Sequence, residues 1–226
     1  MAKNDFSAES PVNYEQKCLC VLVLDVSGSM RGEPIAELNR GLQDFYNEIQ
    51  NNETTSQRLE VCLITFNQTV QTLQKPALVE NFTMPTLTAS GSTAMVDAVN
   101  AAIEIVADRK QWYKDQGLNY YRPWIILMTD GEPDEGQDVY GIGPRIKKDT
   151  EEKRYVFLPI GIEGANKETL EALQGMPPLK LKGLKFMEFF KWLSASMGTI
   201  VNHTEGEKVT LTGDGWPDWM SQFEVI

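Results

Sequence analysis

The sequence predicts an α/β domain with a doubly wound, mostly parallel central sheet, one antiparallel edge strand and helices on both faces. Three observations carry that expectation. Apolar runs at 20–24 and 124–128 lead to Asp25 and Asp130, as strands buried on both faces of a parallel sheet do when they reach its rim. Stripes of apolar residues at three- and four-residue steps alternate with such runs from residue 17 to 202, the pattern of strand and covering helix. Two strand-like runs, 59–66 and 69–73, are joined by only Asn67-Gln68, which is hairpin length, so the second of them is the antiparallel edge.

In order, residues 1–16 are polar, show no period and read as an N-terminal arm. The domain proper spans 17–204. Its first strand covers 17–25 and gives way to Val26-Ser27-Gly28-Ser29, after which Pro34 suits the first turn of a helix. Ile35, Leu38, Leu42, Phe45 and Ile49 are that helix's apolar stripe. Residues 51–58 are polar and read as a loop, and the connection after the hairpin, marked by Pro76 and Pro85, as irregular chain. It leads to Thr88-Ala89-Ser90-Gly91-Ser92-Thr93, rich in hydroxyls, and directly into a helix with Met95, Val96, Val99, Ile103 and Val106 on one side. Beyond the strand that reaches Asp130 come an acidic turn at 131–136, a helix at 138–150, a strand at 155–160 and a short helix at 166–173. Residues 179–184 read as a final edge strand. A helix striped by Phe186, Phe189, Phe190, Leu193 and Met197 closes the domain, and 205–226 form a C-terminal tail, folded back or docking a partner through Trp216 and Trp219.

Composition narrows the function. With 226 residues and 42% hydrophobic residues the chain can bury a sizeable core. The net charge of −11 opposes attraction to phosphate backbones and anionic membranes, so neither nucleic acid nor a membrane is an expected partner. No secretory leader is read at the start, and the odd count of three cysteines, Cys18, Cys20 and Cys62, all in apolar strands, fits reduced core thiols and a cytoplasmic protein. On that expectation the Asn-X-Thr triplets at Asn52, Asn67, Asn81 and Asn202 carry no glycosylation meaning.

Asp25, Ser27 and Ser29 are hard oxygen donors one residue apart on a turn, at the strand ends where open α/β sheets bind ligands. They suggest a divalent-cation site, although a Ser-Gly-Ser turn by itself is as readily a helix cap. Thr93 and Asp130, at the starts of the corresponding rim loops, turn the suggestion into a constellation. Asp130, Glu132 and Asp134 do not open a calcium loop of the EF-hand type, because Glu135 stands where that loop needs glycine and Gly141 where it needs a bidentate glutamate. Glu132 and Asp134 read instead as a solvated acidic rim. Enzymatic readings lack parts. The only histidine is His203, read as a helix-end residue, no phosphate-binding glycine loop is present, and no base is evident for Ser27.

Asp25-x-Ser27-x-Ser29, the distant Thr93 and Asp130-Gly131 together resemble the von Willebrand factor A family with a complete metal-ion-dependent adhesion site, over residues 17–202. The segments DVSGSMRGEPI, ASGSTAM, LMTDGEP and FFKWLSAS resemble the bacterial TerY-type branch, associated with tellurite resistance and stress systems. The resemblance implies a Rossmann-like fold and Mg²⁺, with Mn²⁺ or Ca²⁺ as alternatives, held by Ser27, Ser29 and Thr93 with Asp25 and Asp130 in the first or second shell. A partner's Asp or Glu would complete the site. This composes a non-enzymatic protein-binding scaffold, monomeric by itself, working in stress response or defence beside a kinase and a phosphatase. A metal-dependent phosphohydrolase and a metal-free structural subunit are the competing readings.

Overall fold

Every residue of the strand β1 (Cys18–Asp25) is buried, because both faces of the sheet at its centre are covered by helices. The computed structural model describes residues 4–162 and 164–202 in full and the backbone of 220–222. Its further strands are β2 (Leu59–Phe66), β3 (Val70–Leu78), β4 (Trp124–Thr129), β5 (Val156–Gly161), β6 (Leu179–Leu181) and β7 (Met220–Gln222). They form one sheet in the order β3-β2-β1-β4-β5-β6-β7. β1 runs parallel to β2 on one side and to β4 on the other, and β4, β5 and β6 continue parallel. The order therefore reverses at β1, which makes the crevice beyond β1 and β4 the topological switch point.

Alternation along β1 assigns its two faces. Cys18, Cys20, Leu22 and Leu24 pack under α1 (Glu33–Gln50) and α6 (Phe186–Asn202), through Leu38, Leu42, Phe45 and the phenylalanines of α6. Leu19, Val21 and Val23 pack under α3 (Met95–Asp115) and α4 (Val139–Glu151). Each fully buried large apolar side chain contributes about 1.5–3 kcal/mol, so these two layers dominate stability. The helices α1 and α6 approach closely at Gly41, where a Cβ would lie 2.7 Å from Phe190 Cδ2 and 3.1 Å from the Phe186 backbone.

β3 is the expected antiparallel edge, but it runs on to Leu78 and includes Pro76. Proline is tolerated there because an edge strand need not donate on its outer side. The polar segment at 51–58 is not simply a loop, since it holds the helix α2 (Glu53–Arg58), started by the Asn52 side chain accepting from Thr55 N at 2.9 Å. A helix of six residues is too short to show an apolar period. β6 is not the edge, because β7 pairs antiparallel outside it. That strand lies within the C-terminal tail, whereas Trp216, Trp219 and His203 lie outside the described residues.

The N-terminal arm is docked along residues 4–16. Phe6 is buried with Trp112, Tyr113 and Leu118, the last three belonging to α3 (Met95–Asp115) and the turn after it. A buried ion pair anchors it: Arg109 donates to both carboxylate oxygens of Glu60 at 2.8 and 2.7 Å, Tyr113 donates to Glu60 at 2.6 Å, and Arg109 also reaches Glu9 of the arm at 2.5 Å. Cys18, Cys20 and Cys62 are free thiols in the core, and burial pushes the Cys18 thiol up to about 12. No helix among the described residues is long and apolar enough to cross a membrane.

A candidate metal centre at the strand ends

β1 and β4 stop side by side, pairing Leu24 with Met128, and the candidate donors Asp25 and Asp130 follow one residue after the first and two after the second. Asp25 is the last residue of β1 and is fully buried. Its parity places it on the face that α3 covers, with Leu19, Val21 and Val23. Thr129, the last residue of β4, has the same parity as Ile125 and Leu127 and donates through Oγ1 to Asp25 Oδ2 at 2.5 Å. The other carboxylate oxygen, Oδ1, accepts from Ser27 N at 2.8 Å, an Asx turn that folds the chain back over the strand end.

That turn leads into a 3₁₀ turn (Gly28–Met30) with Ser27 at its N-cap position, yet the Ser27 hydroxyl caps no backbone N–H. It lies instead 3.0 Å from Ser29 Oγ, and Ser29 Oγ donates to Asp130 Oδ1 at 2.7 Å. The capping role that a Ser-Gly-Ser turn could have played is thus not the one adopted. The loop bearing Thr93 is tied to the first loop by Gly28 N to the Gly91 carbonyl at 2.9 Å and Ser90 N to the Val26 carbonyl at 2.8 Å. It is tied to the third by Asp134 N to the Thr93 carbonyl at 2.9 Å. Thr93 is only 6% exposed, and its hydroxyl has no hydrogen-bond partner among the described residues. A Cβ on Gly131 would lie 3.4 Å from Thr93 Oγ1 and 3.6 Å from Asp25 Oδ2, so both oxygens border one small space that glycine leaves free.

All five sequence-derived residues, Asp25, Ser27, Ser29, Thr93 and Asp130, therefore belong to three loops laced together at one rim. Burial falls outward, from Asp25 through Ser27 and Thr93 to half-buried Asp130 and exposed Ser29. Burial raises the Asp25 carboxyl above its ordinary value, against hydrogen bonds from Ser27 and Thr129, and Asp130 adds repulsion. Burial likewise raises Asp130, against its bond from Ser29. Neither carboxylate has an ion-pair partner among the described residues. Two buried or half-buried carboxylates facing each other, with an unpartnered hydroxyl beside them, fit a hard cation.

No group of three or more His, Cys, Asp or Glu is placed to hold a metal among the described residues. The candidate donors here are mostly hydroxyls, the set that suits Mg²⁺ rather than zinc. Thr129 is the residue sequence reasoning left without a role, and the signal for it was the shared parity with Asp25 on a neighbouring strand. Glu132 and Asp134 do not simply project into solvent: Glu132 accepts from Thr169 Oγ1 at 2.9 Å and Asp134 from Ser92 Oγ at 2.5 Å, so both hold loops together.

The von Willebrand factor type A domain model matches residues 20–183. Comparison with curated proteins finds no match. Among solved structures, the chain is similar to the vWF domain of the type V pili tip protein Mfa5 from Porphyromonas gingivalis, with a TM-score of 0.61 at 11% identity, covering 85% of this chain and 99% of that one. It is also similar to the pilus adhesin SpaC from Lactobacillus rhamnosus GG, TM-score 0.64 at 14% identity, covering 82% of this chain but 30% of that one. For the ArnB paralog VWA2 from Sulfolobus acidocaldarius the TM-score is 0.51 at 16% identity, over 84% of this chain and 45% of that one. At these identities the likeness is one of fold, and in the last two cases the chain spans less than half of the other protein.

Proposed function

The chain belongs to the von Willebrand factor type A domain family, and on that premise we propose that it is a metal-dependent protein-binding module rather than an enzyme. Asp25, Ser27, Ser29, Thr93 and Asp130 hold a Mg²⁺-type ion, with Mn²⁺ or Ca²⁺ as substitutes. The bound ion supplies an open coordination position for an Asp or Glu side chain of a protein partner. The remaining tasks fall to the chain itself. Asp25, kept in place by Ser27 N and Thr129, provides buried negative charge. Ser29 and Asp130, at the exposed end of the gradient, face the incoming group.

One observation carries this reading: the two carboxylates face one rim without a cationic partner among the described residues, while the Ser27 hydroxyl beside them caps nothing. The finer assignment rests on sequence resemblance. The TerY-like segments support a role as a scaffold in bacterial stress response or defence, beside a kinase and a phosphatase. The free, buried thiols support a cytoplasmic site of action.

Calorimetric titration of Mg²⁺ and Mn²⁺ into the wild-type protein and into Asp25→Ala and Ser27→Ala tests the site. Saturable heat in the wild type and none in the variants is expected. Equal heats in all three proteins would overturn the assignment. Recovery of the same protein partners with and without chelator would leave the fold as a structural subunit and sink the metal-dependent part of the reading.

A further inference from the structure

A second cleft lies between α3 and α4 at the end of the sheet away from the metal-site rim. α3 starts beside Thr93 and runs 21 residues, which at 1.5 Å per residue carries its last turn roughly 30 Å from that rim. The cleft measures about 790 Å³ and is walled by Ile103, Val106, Pro144 and Tyr155. Around it stand Lys110, Lys114, Arg145, Lys148 and Arg154. Five cations in one cleft are unexpected in a chain whose net charge is −11.

Local pairing offsets only part of this charge, chiefly at Arg154. The carboxylate in the cleft, Asp149, is 8% exposed at its side chain and already accepts from Tyr155 Oη at 3.1 Å and pairs with Arg154 at 3.3 Å. Arg154 also meets Glu152 at 2.6 Å, but Lys148 reaches Glu152 only at 4.0 Å and Arg145 reaches Asp149 only at 4.0 Å. Arg145 otherwise donates to Asn100 and Lys110 to the Arg154 carbonyl, both neutral acceptors. Lys114 has no partner among the described residues. Lys114 and Lys148 do sit in the last turns of their helices, where a cation complements the helix dipole. Lys110, Arg145 and Arg154 are not accounted for in that way. Burial lowers the Lys110 ammonium, and repulsion from Lys114 and Arg154 lowers it further, in keeping with a locally positive potential.

We propose that this α3–α4 groove docks an acidic, partly apolar peptide segment of a protein partner, separately from the metal centre. The cations meet its carboxylates, and the walls take its apolar side chains. The overall negative charge repels polyanionic chains and surfaces at long range, whereas a short segment seated between two helices feels mainly the local cations that close ion pairs do not offset.

The test uses the whole chain in chelator, which silences the metal centre, and a fluorescein-labelled twelve-residue peptide alternating Glu with Leu and Ala. Its counterpart carries Lys in place of Glu. Anisotropy should show saturable binding of the acidic peptide only, weakening as salt rises. The double variant Lys114→Glu/Lys148→Glu changes two exposed positions, and its circular dichroism spectrum should match the wild type, with a melt lowered only slightly by the reversed charges at the two helix ends. It should bind the acidic peptide at least about ten-fold more weakly, while Ser29→Ala binds it unchanged. The milder Lys114→Gln/Lys148→Gln should fall between, which separates lost charge from a misfolded variant. Equal binding of both peptides, or acidic-peptide binding that the double variant leaves intact, would overturn the proposal. Binding of inorganic phosphate without the peptide would also overturn it, in favour of a small-anion site. So would a self-associated species that sedimentation shows the double variant to dissociate, which assigns the groove to a second copy.

Discussion

At the scale of single residues, the candidate centre depends on a carboxylate that is fully buried yet held open to its neighbours. Thr129 Oγ1 and Ser27 N use one lone pair on each oxygen of Asp25 and fix the plane of the group. Replacing Thr129 by Val keeps the volume but withdraws the hydrogen bond from Asp25 Oδ2. Loss of such an orienting partner typically costs about 10–100-fold in metal affinity. Mg²⁺ titration of Thr129→Val should show that loss, and Thr129→Ser should restore most of it. Equal affinity in Thr129→Val and wild type would mean that Asp25 needs no positioning. Asp25, Ser27, Ser29, Thr93 and Asp130 were legible in the sequence because each is a hard oxygen donor at a strand end or loop start. Thr129 was not, because a threonine in an apolar strand satisfies β propensity without any further role, and only cross-strand parity shows what its hydroxyl faces.

At the scale of elements, legibility followed the length of the period. The helices α1, α3 and α6 were readable from apolar stripes several turns long, β1 and β4 from uninterrupted apolar runs, and β2 from a run broken only by Glu60 and Thr65. α2 and the extension of β3 through Pro76 escaped, since six polar residues have no stripe and a proline ordinarily argues against a strand. The contact of α1 with α6 was also invisible, because a glycine within a helical stripe says nothing about what crosses it. Gly41→Ala would raise helix propensity by about 1 kcal/mol. Against that, its Cβ would meet Phe190 Cδ2 at 2.7 Å and the Phe186 backbone at 3.1 Å. Neither neighbour is the free end of a flexible chain, and overpacking of this kind costs about 1–3 kcal/mol. The substitution should therefore destabilise the domain in urea unfolding despite its better propensity. Adding Phe190→Leu, which withdraws the ring, should recover part of the loss. A stabilised Gly41→Ala protein would show that the two helices can separate freely.

At the scale of the whole molecule, the question is what makes the N-terminal arm part of the domain. Residues 1–16 are polar enough to read as an appendage, but Phe6 is buried and Glu9 meets Arg109, which is itself buried against Glu60. Burial alone would lower the Arg109 guanidinium, yet the bonds and charge of Glu60 outweigh it and the net shift is upward. The pair thus joins β2, α3 and the arm. Removing one member strands a buried charge, which costs about 3–5 kcal/mol, whereas replacing both by apolar residues of similar volume is often neutral. Arg109→Met should accordingly lower the urea midpoint strongly. Glu60→Leu/Arg109→Met should recover much of that loss in the globular core while still losing the link to Glu9. Proteolysis separates these effects: in the double variant the arm should be cut at a rate set by local release, ahead of the domain, whereas in the wild type the two should be cut together. If single and double variants are equally destabilised, Arg109 matters for packing against Phe6 and Trp112, over which its guanidinium lies at 5.0 and 3.9 Å, and not for charge.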